Sequence, residues 1–255
     1  MNDLLVEQRG AVRWLRLNRP HRRNALDRTL IESLDRAFGQ AEGDAGTAVV
    51  VIAGQGQSFC AGADLRHLLD VAEQGRDPVR SLFRASALFS RIETSHLPVV
   101  AAIHGHAVAG GLELALACDV VIAADDALIG DGHVRNQLLP AGGASVRLPR
   151  RLGANPARYL MLTGRLLPAR DRLFSGWLHS TVPAADLYGA VQDVAEELAA
   201  AAGPAQARVK QLLCTTESLP AAAGTGAELA EFSAHWDATP VADALRAFLT
   251  DRREV

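Results

Sequence analysis

Ile103 to Asp119 reads I-H-G-H-A-V-A-G-G-L-E-L-A-L-A-C-D. The glycine pair Gly110 and Gly111 opens a helix-like run that is apolar on every side and carries one acid, Glu113. A carboxylate among Leu112, Leu114, Ala115 and Leu116 has no polar face to occupy. Burying it unpaired costs several kcal/mol or forces its pKa upward, so it calls for a partner or a task.

Working outward, Pro98 to Ile103 enters this stretch as a fully apolar strand and Val120 to Ala123 leaves it as another. Ala48 to Ala53 is a third continuous β-branched run, the mark of strands covered on both faces. That strand delivers the chain into G-Q-G-Q-S-F-C-A-G-A-D-L at 54 to 65, whose bare backbone can approach a ligand closely. Leu4 to Glu7 and Val12 to Leu17 flank Arg9-Gly10 as a hairpin. Pro20 to Leu26 is a basic loop, and Asp27 caps a helix bearing Leu30, Ile31, Leu34 and Phe38. Helices are expected at about 65 to 73 and 78 to 94. The repeated order of strand, bare loop and helix predicts an α/β core with both glycine loops at strand exits, where ligands bind in such folds.

From Asp125 to Gly153 the chain reads as irregular, with D-G-H at 131 to 133 and L-P-A-G-G-A-S at 139 to 145. Helices are then expected at 155 to 163, 168 to 177, 186 to 202, 204 to 214, 225 to 236 and 240 to 250. The alanine-rich run Asp193 to Ala202 buries little per residue, so this part looks to another subunit for its core. The expected division is 1–190 for the core and 191–255 for a C-terminal helical region.

A length of 255 residues, about half apolar, is enough for a real core without staples. The formal charge of −3 gives no field favouring nucleic acid or an anionic membrane. Cys60, Cys118 and Cys214 form neither a disulfide framework nor a zinc knuckle. The N-terminus lacks a basic region followed by a long apolar one, and no apolar run approaches about 18 residues, so a cytoplasmic, soluble protein is expected.

The amides of Ala63, in C-A-G-A-D, and of Gly110, in A-G-G-L-E, could both point at one oxygen, as a developing oxyanion requires; the plain alternative is two tight turns. For Glu113 the alternatives are an ion pair with Arg135 or Arg147, or a general acid or base with a raised pKa. His133, preceded by Asp131, is a second candidate for proton transfer; His104 and His106 read as packing or loop residues. Gly54-Gln-Gly56 does not continue as a dinucleotide fingerprint, and neither a phosphate loop nor a nucleophile elbow is present. H-x-H at 104 to 106 has nothing nearby to complete a metal-ligand set, so no metal is expected, and Cys60 and Cys118 read as small packing residues.

Four ordered motifs carry a resemblance. They are N-R-P-x-x-R-N-A-L at 18 to 26, S-F-C-A-G-A-D-L at 58 to 65, P-V-V-A-A-I-H-G-H-A-V-A-G-G-L-E-L-A-L-A-C-D at 98 to 119, and L-L-P-A-G-G at 138 to 143. The chain resembles the enoyl-CoA hydratase/isomerase, or crotonase, superfamily from about residue 4 to at least 180. The resemblance implies an α/β, crotonase-like spiral of ββα units with a C-terminal helical trimerisation region, assembled as a homotrimer or a dimer of trimers. It implies that Ala63 and Gly110 form an oxyanion hole for an acyl-CoA thioester, with coenzyme A arriving as part of the substrate and no permanently bound cofactor. It places Arg23, Ala25, Leu26, Ala61, Asp64, Leu65 and Arg66 along the CoA, with Arg22, Arg23 or Arg66 near its phosphates.

Hydratases of this family use two glutamates. Glu113 matches the first, and the second falls on His133. An imidazole cannot grip a water as a carboxylate does, although it can donate or accept one proton. The resemblance therefore implies hydration of a 2-enoyl-CoA with Glu113 as principal acid/base and His133 as partner. Isomerisation, decarboxylation or hydrolysis on the same scaffold, and acyl-CoA binding without turnover, remain the alternatives.

Overall fold

The computed structural model describes residues 2–251. The chain divides into two compact units, Met1–Ala200 and Ala201–Val255.

In the first unit, β1 (Leu4–Arg9) and β2 (Val12–Leu17) form the expected antiparallel hairpin, with Leu4 opposite Leu17. Parallel strands then extend the sheet: β3 (Val49–Gly54), β4 (Val99–Ile103), β6 (Val120–Ala124) and β9 (Ser180–Val182), in the order β1-β2-β3-β4-β6-β9. All residues of β3 and β4 are buried, which is why they read as unbroken apolar runs. A second, smaller sheet holds β5 (His106–Val108), β7 (Leu128–Gly130) and β8 (Leu167–Pro168). Cys60 bridges Ala107 of β5, so the chain after β3 joins the same small sheet. Each turn of the chain thus lays one strand in the large sheet, a shorter one in the small sheet, and then a helix.

The helices follow from the sequence pattern. Asp27 accepts a hydrogen bond from the Leu30 amide and starts α1 (Arg28–Glu42), which buries Leu30, Ile31, Leu34 and Phe38. Asp64 caps α2 (Leu65–Glu73) in the same way through the His67 amide. Then come α3 (Val79–Thr94) and the short α4 (Gly110–Leu116), every residue of which is buried.

Two stretches depart from expectation. The segment 125 to 153 is not wholly irregular, because α5 (Ala144–Leu152) forms within it. Arg147 of α5 reaches the Gly142 carbonyl at 2.6 Å and Glu93 at 2.7 Å, and these tertiary bonds hold a helix that contains Pro149. Residues 168 to 177 are not a helix either; Leu167 and Pro168 pair with Ile129 and Leu128, and one turn of 3-10 helix follows at Arg172–Phe174. A strand pairing set by tertiary contact has outweighed local propensity there.

Beyond α6 (Ala154–Thr163), α7 (Leu187–Ala200) belongs with the sheet rather than with the tail. Gln192 accepts from the Trp14 indole at 2.8 Å, and Tyr188 donates to the Gly54 carbonyl at 3.2 Å. The observed division therefore falls ten residues later than the expected 190, at the end of this helix. The second unit contains α8 (Pro204–Thr216), α9 (Ala221–Ala238) and α10 (Val241–Asp251), with an Arg208–Glu231 ion pair between the first two. Among the described residues, no helix is long and apolar enough to cross a membrane.

Candidate active site

The loop before α1 and the loop before α2 are zipped together by backbone bonds. Leu26 N donates to Gly62 O at 2.7 Å, Asp64 N to Leu26 O at 2.9 Å, and Ala61 N to Arg23 O at 3.0 Å. This parallel bridge uses the Gly62 carbonyl and the Asp64 N–H, on either side of Ala63, and turns the Ala63 N–H the other way. Arg23 and Asn24 both take left-handed φ angles, 51° and 56°, to make the turn. Asn24 is held by its amide, which donates to the carbonyls of Ser58 and Gln55 at 2.7 and 2.9 Å.

Arg19 ties the assembly from beneath. Its guanidinium lies 3.0 Å from both Asp27 and Asp64 and also donates to the Ala25 carbonyl. Burial alone would raise the Asp64 pKa, but the His67 amide and Arg19 outweigh it and hold the group below its ordinary value. Its side chain, amide and carbonyl are all engaged within the protein, the last two with Leu26 O and Leu68 N. Arg23, Leu65 and Arg66 are exposed at the mouth of these loops, whereas Ala25 and Leu26 are buried. Arg19 escaped the sequence reading; the acids that need it, Asp27 and Asp64, were each recognised only as part of a local motif.

The second glycine loop meets the first closely. Gly62 has φ of +94°, and a Cβ there would stand 2.9 Å from the Val108 carbonyl and 3.1 Å from the Gly110 nitrogen. A Cβ on Gly110 would stand 3.4 Å from the Ala63 nitrogen, so the two amides front one space. The Gly110 N–H opens α4, where a helix leaves its first amides without intrahelical acceptors. Ala109 pays for the turn with a φ of 51° and ψ of −117°, a conformation that L residues rarely adopt.

Glu113 is only 3% exposed, and its partner is not an arginine. Its Oε1 accepts from the amides of Gly142, at 2.8 Å, and Ala144, at 3.1 Å. Arg147 acts at one remove, fixing the Gly142 carbonyl and pairing with Glu93, while Arg135 is exposed. The glycine is required at 142, since a Cβ there would lie 2.6 Å from Glu113 Oε2. One carboxylate oxygen is therefore tethered, and the other, Oε2, faces His133 Nε2 at 3.9 Å.

His133 is oriented by its neighbour. Asp131, 1% exposed, accepts from the His133 backbone N–H at 3.3 Å and lies 3.1 Å from its Nδ1. Burial disfavours the imidazolium, but the Asp131 hydrogen bond and the charges of Asp131 and Glu113 outweigh it, so the histidine pKa is raised. Ala63, Gly110, Glu113 and His133 line one pocket of about 60 Å³ together with Leu26, Leu68, Leu82, Phe89 and Leu138. The four residues singled out in the sequence as chemistry are thus brought together, walled by apolar side chains.

The remaining candidates stay outside. Burial pushes the Cys60 thiol up to about 12, which removes it as a nucleophile. His104 and His106 contact Gly56 O and Ser58 Oγ as loop supports. Among the described residues, no group of three or more His, Cys, Asp or Glu is placed to hold a metal ion.

Comparison with known proteins gives the family of the chain. Residues 7–254 match the family model described as enoyl-CoA hydratase/isomerase. The chain is 32% identical over 252 residues to a protein of Rhizobium meliloti named "Probable enoyl-CoA hydratase", covering 98% of this chain and 96% of that one. It is 28% identical over 255 residues to the short-chain-enoyl-CoA hydratase of Clostridium acetobutylicum, covering 99% and 97%. The crystal structure of an enoyl-CoA hydratase from Bacillus anthracis superposes with a TM-score of 0.90 at 30% identity, covering 98% and 96%. The chain belongs to the enoyl-CoA hydratase/isomerase family and has the crotonase fold.

Proposed function

We propose that the protein hydrates a 2-enoyl-CoA thioester. The observation that carries this reading is the 3.9 Å gap between Glu113 Oε2 and His133 Nε2, in the pocket that Ala63 and Gly110 also line. Such a gap is too long for a direct hydrogen bond and suits one bridging water.

The thioester carbonyl accepts from the Ala63 and Gly110 amides, which stabilise the enolate more than the ground state. Glu113 Oε2 takes a proton from the water as its hydroxyl adds to C3. His133, whose protonated form Asp131 favours, delivers a proton from Nε2 to C2. The product has gained one water. A proton passing from Glu113 to His133 restores both groups. Arg23, Ala25, Leu26, Ala61, Asp64, Leu65 and Arg66 carry the CoA in this reading, supported by the way the zipped loops end beside Ala63.

The same reading makes the protein a homotrimer or a dimer of trimers, supported by the exposed Leu229, Phe232 and Trp236 on α9. Loss of enoyl absorbance with crotonyl-CoA and longer 2-enoyl-CoAs tests the activity. Turnover confined to 3-enoyl-CoA would instead assign an isomerase, for which His133 and Glu113 would exchange one proton between C2 and C4.

A further inference from the structure

Beside the pocket that holds Glu113 lies a larger cavity of about 410 Å³, lined by Arg28, His67, Val71, Arg76, Asp77, Arg80, Ser81 and Arg84. Helices α1, α2 and α3 border both spaces. Each gives the first an apolar residue, Ile31, Leu68 or Leu82, and the second a basic one, Arg28, His67 or Arg80. Ser81 lines both, so the cavities adjoin there. Its hydroxyl is turned away to the Pro78 carbonyl at 2.8 Å.

The charge of the larger cavity is unbalanced. Arg28 and Arg84 share the carboxylate of Glu32. The Arg76 guanidinium donates to the Gln74 side chain, and among the described residues neither Arg76 nor Arg80 has an acidic partner. The single acid in the lining, Asp77, accepts from the Val79 amide at 2.9 Å as a helix cap. Arginines outnumbering acids around one cavity are an arrangement for binding an anion, and a carboxylate meets their planar donors bidentately.

Resting on the thioester reading above, we propose that the acyl group this enzyme accepts ends in a carboxylate, held by Arg76 and Arg80. The thioester end sits at Ala63 and Gly110, the carbon chain runs past Leu68 and Leu82, and the far end passes Ser81 into the arginine-lined cavity. A hydrocarbon tail of the same length would leave these cations unmatched and bury its end among charges.

The test is equilibrium binding by calorimetry, with saturated esters so that no turnover is needed. Adipyl-CoA and suberyl-CoA are compared with the uncharged heptanoyl-CoA and nonanoyl-CoA, on the unaltered protein and on Arg76→Gln/Arg80→Gln. The expected result is at least about tenfold tighter binding of the carboxylate esters, a preference that falls as salt is raised and disappears in the double variant, with the uncharged esters unaffected. Equal binding of both classes by the unaltered protein overturns the inference and leaves the hydratase reading intact. Equal weakening of both classes in the variant also overturns it, because it assigns the arginines to the CoA phosphates. Binding of no CoA ester at all overturns both readings.

Discussion

Glu113 and His133 face each other with Oε2 3.9 Å from Nε2, each fixed from behind by a different element. The acid hangs from the Gly142 and Ala144 amides, and the imidazole from Asp131. Neither can rotate toward the other without breaking a buried hydrogen bond, which holds both groups toward the pocket at this separation.

Replacing Glu113 with Gln keeps an oxygen for the two amides but removes the base. Hydration turnover should fall by about 10²- to 10⁴-fold, with thermal stability nearly unchanged. Steady-state kinetics with crotonyl-CoA checks this, and an unaltered kcat would sink the role given to the acid.

In Asp131→Asn the side chain can still hold the His133 ring, but the charge that raises its pKa is gone. Because the protonated histidine is the donor, activity is lost as pH rises through that pKa, which lies above the ordinary value of about 6.5. The alkaline limb of the kcat profile should therefore move to lower pH in the variant. The same raised pKa contributes stability that is fully present below about pH 6.5 and lost as pH rises through the folded value. Melting temperatures across that window should show a smaller slope in the variant.

A methyl group at position 142 would stand 2.6 Å from Glu113 Oε2 and 2.8 Å from Phe89 Cε2. Gly142→Ala should cost about 1–3 kcal/mol of stability by overpacking and lower kcat by displacing the carboxylate. Urea unfolding together with kinetics separates the two effects. A variant of full activity would show that the carboxylate can be moved without harm.

Ala109 carries backbone strain next to a candidate oxyanion donor. Ala109→Gly relieves the strained φ but adds freedom to the unfolded chain, so the net gain in stability should be no more than about 1 kcal/mol. If the strain aims the Gly110 amide, kcat falls while the affinity for a saturated CoA ester holds. An unchanged kcat would show that the strain has no part in the chemistry.

Much of this was legible in the sequence because it is local. Runs such as Val49 to Ala53 announce strands buried on both faces, and Asp27 announces a helix start. Glu113 and the two glycine loops stood out because each breaks its surroundings. Long-range partners did not. The amides of Gly142 and Ala144 leave no trace in side-chain identity, so an arginine looked the natural partner for Glu113 and proved to be one step removed. The strand at 167 to 168 exists only because β7 lies beside it, and α5 leans on Glu93, which lies 54 residues before Arg147 in the chain.

The carboxylates of Asp131 and Glu113, both buried, have His133 as the one base between them. A glutamate at 133 would not simply restore a two-glutamate hydratase. It would crowd three buried acids together without the imidazole that now stands between two of them, which favours the protonated form of at least one. Histidine and aspartate at these positions are therefore coupled through their charges. Re-engineering the site toward the two-glutamate pattern has to change 131 and 133 in the same step.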